Sequence, residues 1–341
     1  MTSQPFVSVV TPFYNTSDYL RECIESVLAQ TYENFEYLLV DNQSTDGSAE
    51  IAREYAERDP RIRVSRNAEF VDQVPNYNGA VRQVSPAARY VKIVQADDCI
   101  LPECLEKMVA VAEAHPSVAI VSSYYLMGRN VFGIGIEWPR ECIPGRVASR
   151  LHLIENRFLF GTPTTLLYRA DLVAKRKPFY SEISLHEDTE LCHEVLADSD
   201  FGFVHQVLSY TRVGNGGILN AIETFHWQLL DFYVILKKYG RKFLSPRELE
   251  DRTRAVRADY LQILGESALL RREQAFWQYH ERGLATVGEV LPSGISLAPH
   301  VARAALKAVT KPRWLLRERE RVRSGRNGTA AISQAAAGGA S

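Results

Sequence analysis

Short apolar runs alternate with amphipathic segments through the first 125 residues of the chain. Five of the runs have the length and β-branched content of buried strands: Val7–Thr11, Tyr37–Val40, Ile62–Ser65, Tyr90–Val94 and Val118–Ser122. Four segments between them repeat apolar side chains at helical spacing: Asp18–Gln30, Ser48–Arg58, Asn76–Val84 and Leu101–His115. Strands that alternate with helices of this length favour βαβ units with right-handed crossovers. The pattern therefore predicts an α/β fold around a mostly parallel central sheet.

The pattern changes after about residue 215, where strand signals nearly vanish. Three later segments are helical by pattern: Ala221–Lys238, Pro246–Leu270 and Glu273–His280. The glycine-rich stretch Gly214–Gly217 lies at the change and predicts a hinge or mobile loop. From Ser324 onward, a composition of Gly, Ala and Ser predicts disorder. We expect three regions, namely an α/β domain over 1–215, a helical C-terminal region over 216–323, and a disordered tail over 324–341.

Composition and charge exclude several classes of protein. The formal net charge of −1 gives no general attraction to nucleic acid, so no nucleic-acid partner is expected. The five cysteines are scattered without a Cys-x-x-Cys pair, which disfavours structural zinc and disulfides and favours a reducing compartment. The chain starts without a signal-peptide pattern, and no uncharged apolar run reaches the roughly 18 residues of a membrane span. We expect a cytoplasmic protein, with peripheral attachment at the inner face of the membrane left open.

Polar turns follow three of the apolar strands. The turns are Pro12-Phe13-Tyr14-Asn15, Asp41-Asn42-Gln43-Ser44-Thr45-Asp46-Gly47 and Ala96-Asp97-Asp98. In a parallel sheet all three lie at the same edge, where α/β folds bind ligands. Together they offer an aromatic ring to flank a base, side-chain acceptors for base N–H groups, and carboxylates for a divalent cation on phosphates. A structural interpretation, with Asn15 and Asp46 capping helices and Tyr14 in the core, is less favoured.

The same turns carry a family resemblance. Val-Ser-Val-Val-Thr-Pro-Phe-Tyr-Asn, Val-Asp-Asn-Gln-Ser-Thr-Asp-Gly-Ser and Tyr-Val-Lys-Ile-Val-Gln-Ala-Asp-Asp-Cys-Ile-Leu-Pro occur in the order and spacing seen in family 2 glycosyltransferases. The chain resembles that family over roughly residues 6–215. The resemblance implies the Rossmann-like GT-A fold, a nucleotide-sugar donor, and Mg²⁺ or Mn²⁺ as cofactor.

The resemblance also implies roles for particular residues. The nucleobase would contact Pro12, Tyr14, Asn15 and the Asp41-Asn42 pair. Asp97 and Asp98 would be the equivalent of the family's Asp-x-Asp motif, with Asp97 at the substrate and Asp98 as the direct metal ligand. Thr162 matches a loop that borders donor and acceptor, and Arg212 lies where the family often has an arginine followed by a histidine.

The chain departs from the family pattern at two places. The second turn has Asn42 and Gln43 where the family usually has a second acid and a glycine, and the histidine after Arg212 is absent, with Gly214 near its place. An asparagine oxygen can still accept a hydrogen bond from a pyrimidine N3–H, so base binding by Asn42 remains expected. The departures bear on donor identity and on the contact of the Arg212 loop with metal or diphosphate.

A general base is predicted in His186-Glu187-Asp188-Thr189-Glu190, which resembles the family's Glu-Asp motif. Ser184 and Glu187 have the spacing of a capping box, which would place Asp188 in the first helical turn. Asp188 shares a helix face with Leu191 and Val195, so its carboxylate is expected to point inward. Partial desolvation raises the pKa of a carboxylate and makes it a better base. The structural alternative is an acid that complements the helix dipole.

Two further patterns leave alternatives open. His186, Glu190 and His193 have i, i+4, i+7 spacing that could place three metal ligands on one helix face, although such spacing arises easily by chance. Between residues 300 and 326, basic residues surround Trp314 and its apolar neighbours, with only Glu318 and Glu320 opposing them. This segment suits an anionic membrane surface and equally suits a solvated helix that packs Trp314 on the domain.

The sequence as a whole favours a metal-dependent, inverting glycosyltransferase with Asp188 as base. It would move a sugar from a nucleotide-sugar donor to a saccharide or lipid-linked saccharide acceptor, as in bacterial surface-polysaccharide or glycolipid assembly. A non-catalytic sugar-binding relative is the alternative, because of Asn42 and the missing histidine. A dinucleotide dehydrogenase or a P-loop NTPase is disfavoured, since neither Gly-x-Gly-x-x-Gly after the first strand nor Gly-Lys-Ser/Thr is present.

Overall fold

The computed structural model describes residues 4–182, 186–213, 225–292 and 294–322. These fall into two compact units, one made of 4–182 with 186–213 and the other of 225–292 with 294–322. The predicted boundary at 215, the Gly214–Gly217 stretch, the start of the helix predicted from Ala221, and the tail over 324–341 lie outside the described residues. The first unit is an α/β unit and the second is helical, and the predicted domain bounds stay a prediction.

A single ten-stranded sheet organises the first unit, in the order β3-β2-β1-β4-β9-β6-β10-β5, with β7 beside β6 and β8 beside β10. The strands are β1 (Val7–Phe13), β2 (Phe35–Asp41), β3 (Ile62–Arg66), β4 (Tyr90–Ile93), β5 (Cys99–Ile100), β6 (Val118–Met127), β7 (Asn130–Phe132), β8 (Cys142–Pro144), β9 (Leu167–Arg169) and β10 (Asp200–Thr211). Strands β1 to β4 pair in parallel, as do β6 and β10, while β9 runs antiparallel between β4 and β6. The predicted α/β class and mostly parallel sheet are confirmed.

Helices cover both faces of this sheet because the central strands are apolar on both sides. They are α1 (Ser17–Leu28), α2 (Ser48–Arg58), α3 (Gln73–Val81), α4 (Cys104–Ala114), α5 (Gly145–Glu155), α6 (Ala170–Lys175) and α7 (Glu187–Val195). Val9 and Leu39 join the core under α1, α2 and α4, whereas Val10 and Leu38 join the core under α3, α5 and α7. Such two-sided burial is typical of parallel strands between helix layers.

The sequence pattern did not predict β10, although it runs beside β6 over its whole length. Register shifts near Val204 and Val207 mark bulges, which break the period-two alternation that identifies strands. The helix predicted from Leu101 starts only at Cys104, because Cys99 and Ile100 pair with β10 as a short strand. The later start of this helix therefore depends on β10, which lies about a hundred residues away in sequence.

The second unit is helical, as the pattern predicted. It contains α8 (Trp227–Phe243), α9 (Pro246–Leu269), α10 (Gln274–Ala285), α11 (Gly294–Thr310) and α12 (312–322). Ser245 and Glu248 form a capping box at the start of α9, with Pro246 in the first helical position. Among the described residues, no helix combines the length and the apolar content that crossing a membrane requires.

Candidate active site

The three polar turns predicted to form a site follow β1, β2 and β4, which are neighbours in the sheet and run in the same direction. Phe13 at the end of β1 is in register with Asp41 at the end of β2. Beyond β4, the Val94 N–H donates to the Val10 carbonyl at 2.9 Å, so the chain leaves the sheet beside β1. The turns therefore start from one edge of the sheet, where ligands bind in α/β folds.

The first two turns are tied to each other by reciprocal hydrogen bonds. Asn15, in the left-handed region with a φ of 50°, accepts from the Thr45 N–H at 2.8 Å through its side chain. Its own N–H donates to the Ser44 hydroxyl at 3.1 Å, and the Thr16 N–H donates to the Ser48 hydroxyl at 2.9 Å. Asn15 thus fixes the two turns relative to each other instead of capping the helix that follows it.

Asp41 is buried at the base of the second turn. One carboxylate oxygen accepts from the Ser44 N–H at 2.8 Å. Within the described residues the other oxygen, Oδ2, accepts no hydrogen bond, and it lies 3.3 Å from the Arg66 Nε. This oxygen is therefore ion-paired with Arg66 and still has room to accept a hydrogen bond from an N–H group of a ligand.

The hydrogen bonds of the Asn42 side chain differ from our expectation. Its amide nitrogen donates to the Val71 carbonyl at 2.7 Å, and its oxygen accepts from the Val71 N–H at 3.1 Å and from Asn67 at 2.8 Å. The oxygen that we expected at the nucleobase therefore has two donors from the loop after β3. These contacts favour a structural role for Asn42, and its contact with a base stays a prediction.

An aromatic pair stands beside these residues. The rings of Tyr14 and Phe70 have centroids 4.8 Å apart and planes tilted by 59°. Both rings are exposed, Tyr14 by 44% and Phe70 by 48%. Tyr14 therefore lies outside the core, as the functional interpretation required, and Pro12 is buried within β1 just before it.

Asp97 and Asp98, predicted to serve the phosphates and the metal, differ in their surroundings. Asp98 is 2% exposed, and its carboxylate accepts from the Thr164 hydroxyl at 2.6 Å and the Arg212 N–H at 3.0 Å. The Thr211 hydroxyl adds a longer contact of 3.4 Å. Burial and the neighbouring charge of Asp97 raise the pKa of Asp98 to about 7. Asp97 is the more exposed of the two carboxylates.

These contacts bear on the prediction that Asp98 is the direct metal ligand, which stays a prediction. Asp98 joins the end of β4 to the turn at Thr164 and to the end of β10, so its carboxylate already serves three donors of the protein. Asp97 is better placed to meet a ligand. Sequence reasoning missed Thr164, whose only signal was its place in the Thr162-Pro163-Thr164 loop.

Thr162 and Arg212, both predicted to bind substrate, lie close to this carboxylate turn. The Thr162 hydroxyl is 3.3 Å from that of Thr211. The Arg212 guanidinium donates to the Asp97 carbonyl at 3.0 Å and to Glu22 at 2.5 Å. Arg212 therefore holds the backbone of the Asp97-Asp98 turn in place. Its predicted contact with substrate stays a prediction.

Asp188 lies in the first turn of α7, as predicted. Ser184 of the expected capping box is outside the described residues, and His186 is the N-cap of the helix. The Asp188 carboxylate accepts from the Thr189 N–H at 2.6 Å. Burial raises the pKa values of both Asp188 and Glu187, because neither charge is well solvated there. A carboxylate with a raised pKa has the chemistry of a general base.

Two tyrosines connect α7 with the sheet edge. Burial raises the pKa of Tyr77, and the negative charges of Asp97, Glu187 and Asp98 raise it further, so carboxylates of both regions influence this phenol. Burial and then the charge of Asp188 raise the pKa of Tyr125, whose buried hydroxyl makes no hydrogen bond within the described residues. Neither tyrosine gave a signal in the sequence, because aromatic residues at such positions usually belong to the core.

The alternative metal site on α7 is not supported. No group of three or more His, Cys, Asp or Glu side chains in the described parts of the chain could hold a metal ion. His193 is buried with its Nε2 2.8 Å from the Nδ1 of His152, and the two rings stack. The pair belongs to the core between α5 and α7.

Comparison with known proteins identifies the family of the α/β unit. Residues 8–175 match the family model described as Glycosyl transferase family 2. TuaG of Bacillus subtilis, a putative teichuronic acid biosynthesis glycosyltransferase, is 32% identical over 127 residues, which cover 37% of this chain and 50% of TuaG. The first curated relatives are matched over 39% and 54% of their own lengths, so the chain aligns with about half of each or less.

Solved structures show the same fold. S. aureus TarS 1–349, in complex with UDP-GlcNAc, superposes with a TM-score of 0.59 at 16% identity, covering 97% of this chain and 92% of that one. The mannosyltransferase PcManGT from Pyrobaculum calidifontis, in complex with GDP-Man and Mn²⁺, gives 0.53 at 19% identity, covering 98% and 87%. With its family model, sheet and helices all in agreement, the α/β unit of this chain belongs to glycosyltransferase family 2 and has the GT-A fold.

Proposed function

We propose that this chain transfers a glycosyl group from a nucleotide sugar to an acceptor hydroxyl, with inversion at the anomeric carbon. The observation that carries the proposal is the gathering of the Tyr14, Asp41 and Asp97–Asp98 turns at one edge of the sheet in a unit that matches glycosyltransferase family 2. The candidate base Asp188 lies in the first turn of α7. Family membership and the UDP-GlcNAc and GDP-Man complexes of TarS and PcManGT support a nucleotide-sugar donor.

The transfer is a single displacement in this proposal. Asp188 takes the proton of the acceptor hydroxyl, whose oxygen attacks the anomeric carbon. The bond from that carbon to the diphosphate breaks on the opposite face, which inverts the configuration. Asp41 binds a base N–H through Oδ2, and Tyr14 stacks on the base.

The residues present fit a divalent cation that is shared with the donor. Mg²⁺ is commonly bound through one or two carboxylates together with substrate phosphates. The turn contains the partly exposed Asp97 next to the buried Asp98. Bound there, Mg²⁺ or Mn²⁺ would neutralise charge that develops on the departing diphosphate. Asp98 fixes the position of this turn by accepting hydrogen bonds from the Thr164 hydroxyl and the Arg212 N–H. The Mn²⁺ bound by PcManGT is consistent with this assignment.

A panel of nucleotide sugars tests the function directly. Release of nucleoside diphosphate would be measured for UDP-, GDP-, CDP-, dTDP- and ADP-sugars, with Mn²⁺ and with EDTA. We expect release from one nucleotide class, dependent on the cation. Tight binding of a nucleotide sugar without any hydrolysis or transfer would instead identify a non-catalytic relative.

For the acceptor, we propose a saccharide on a lipid carrier, reached from an anionic membrane surface. The relative TuaG is described as a putative teichuronic acid biosynthesis glycosyltransferase, which supports a polysaccharide acceptor. On α11, Ile295, Leu306 and Val309 are 90%, 64% and 80% exposed, and they lie along one face of the helix. Arg303 and Arg313 are also exposed. An exposed apolar stripe with basic neighbours suits anionic lipid headgroups.

Trp314 is not part of that exposed apolar stripe, although the sequence pattern allowed it to face a membrane. Its ring packs under the Lys307 ammonium at 4.1 Å, and Lys307 also pairs with Glu266 at 2.7 Å. Trp314 and Lys307 therefore serve packing within the helical unit, which is the structural alternative for these two residues. The membrane proposal depends on the exposed stripe and the arginines.

Sedimentation with vesicles tests the membrane proposal. A Leu306→Glu/Val309→Glu double variant should bind phosphatidylglycerol-containing vesicles at least about tenfold more weakly, because it removes apolar area and adds negative charge. The Leu306→Ala/Val309→Ala variant, which removes apolar area without adding charge, is an intermediate control. Vesicles of pure phosphatidylcholine should bind none of these three proteins. Equal binding of the wild-type and the glutamate variant would contradict the proposal.

A further inference from the structure

We propose that Phe70 is a second aromatic wall of the nucleobase subsite, and that Asn42 is the positioning residue that holds Phe70 there. The inference rests on the proposed donor site and names residues of this chain that complete it. It also gives a physical reason for the asparagine at position 42, where the family usually has an acid.

The geometry of the two rings forms a corner. With centroids 4.8 Å apart and planes tilted by 59°, Tyr14 and Phe70 touch each other and cannot enclose a base as a parallel sandwich. A flat base that stacks on one ring would instead meet the other at its edge, which aromatic contacts favour. Both rings keep roughly half of their surface exposed, so the corner is open to a ligand.

The corner stands next to the polar groups that would read a base. Tyr14 follows Phe13 directly, and Phe13 is in register with Asp41. The Asn42 N–H donates to the Phe13 carbonyl at 2.9 Å, which joins the two strand ends behind the rings. The buried Oδ2 of Asp41 in the same turn is ion-paired with Arg66 and accepts no hydrogen bond within the described residues. An apolar corner beside a buried carboxylate oxygen fits a flat heterocycle that carries an N–H group.

Asn42 fixes the position of Phe70 through the next residue. Its amide makes two hydrogen bonds to the backbone of Val71, one to the carbonyl at 2.7 Å and one from the N–H at 3.1 Å. This is the pairing that a neighbouring strand would supply. Asn67 adds a hydrogen bond to the Asn42 oxygen at 2.8 Å, and the Gln43 side chain donates to the Asn67 carbonyl. The loop between Asn67 and Val71 is thereby held at both ends.

Aspartate at position 42 could not make this contact. A carboxylate accepts hydrogen bonds but has no N–H to donate to the Val71 carbonyl, so one of the two backbone contacts would be lost. The asparagine therefore keeps Phe70 over the site, and the base contact of the second turn is left to Asp41.

Nucleotide binding by calorimetry tests the inference on the full chain. The probes are UDP, GDP, CDP, dTDP and ADP, with inorganic pyrophosphate as a ligand without a base. For the diphosphate that binds best, Phe70→Ala should raise Kd by about tenfold, the loss expected when one base–aromatic contact is removed. Phe70→Tyr should keep the wild-type Kd, and pyrophosphate binding should be the same in all variants. Trp138→Ala, which removes another exposed aromatic ring, is the matched control.

A double-mutant cycle tests the role of Asn42. Asn42→Ala should raise Kd for the same diphosphate in the wild-type background, yet add little when Phe70 is already alanine. Equal effects in both backgrounds would overturn the link between the two residues, and an unchanged Kd in Phe70→Ala would overturn the inference itself. Thermal unfolding of each variant identifies any loss of fold. If the wild-type chain binds none of the diphosphates, the proposed function fails; if it binds one and Phe70→Ala does not matter, only this inference fails.

Discussion

Asp188→Asn should lower kcat by about 10²- to 10⁴-fold, the range expected when a general base is removed. The amide keeps the size of the carboxylate but cannot take a proton from the acceptor hydroxyl. Donor KM should change little, since the proposed donor contacts are made by Tyr14, Asp41 and Asp97 and not by Asp188. The measurement is release of nucleoside diphosphate in the presence of acceptor, with the donor that the panel identifies. A variant that keeps more than about a tenth of the wild-type kcat would contradict the role of Asp188.

Glu194→Gln is the matched control for this variant. Glu194 lies on the same helix, and its carboxylate forms a partly exposed ion pair with Arg176. Exposed pairs of this kind contribute roughly 0–1 kcal/mol to the free energy of unfolding, so the control should keep both its fold and its kcat. Thermal unfolding of both variants would separate a loss of catalysis from a loss of structure.

The pH profile offers an independent check on Asp188. Its pKa is raised by burial, so the base becomes protonated and inactive at a higher pH than an ordinary aspartate, whose pKa is about 3.9. The value of kcat should therefore fall, as pH decreases, along an acid limb shifted toward neutrality. A limb that stayed near pH 4 would show that the titrating base is not this buried carboxylate.

Asp97→Asn and Asp98→Asn should reduce transfer for different reasons. Asp97→Asn should raise the Mn²⁺ concentration needed for half-maximal activity by about tenfold or more, because a neutral amide is a weaker ligand for a hard cation than a carboxylate. Its thermal stability should be near that of the wild type, as Asp97 is partly exposed. Mn²⁺ titration of nucleoside diphosphate release measures this shift.

Asp98→Asn should instead lower the melting temperature. The amide nitrogen would face either the Thr164 hydroxyl or the Arg212 N–H, both of which donate to Asp98 in the native structure. Loss of a buried acceptor of this kind costs about 1–3 kcal/mol. Were Asp98 itself the metal ligand, as the sequence suggested, its variant would show the larger shift in Mn²⁺ requirement and Asp97→Asn would show almost none.

Much of the candidate site could be predicted because it depends on local sequence. The ends of three apolar strands identified the turns that contain Tyr14, Asp41 and Asp98, and parallel pairing placed those turns on one edge. The position of Asp188 in the first turn of α7 also followed from spacing along one segment. Each turn and helix start is identified by residues within a few positions of the motif, and the alternation of strands and helices predicts the parallel pairing that brings the turns together.

The partners of the side chains could not be predicted in the same way. Asn42 bonds to Val71, 29 residues away, and Asp98 bonds to Arg212, 114 residues away. Which polar group a side chain meets at such separations depends on the order of strands in the sheet and on bulges such as those in β10. The same applies to Tyr77, whose pKa is raised by carboxylates of two separate segments only in the folded chain.

The sequence by itself determined the α/β class, the helical second unit and the edge at which the polar turns gather, because periodicity and strand length report directly on burial. Only the tertiary structure decided that Asp98 and Asn42 are committed to neighbouring segments, that Asp97 is more exposed than Asp98, and that Tyr14 and Phe70 form an exposed corner. The physical reason is that a buried polar group must be satisfied by whatever the fold brings to it, and sequence alone does not contain that neighbour.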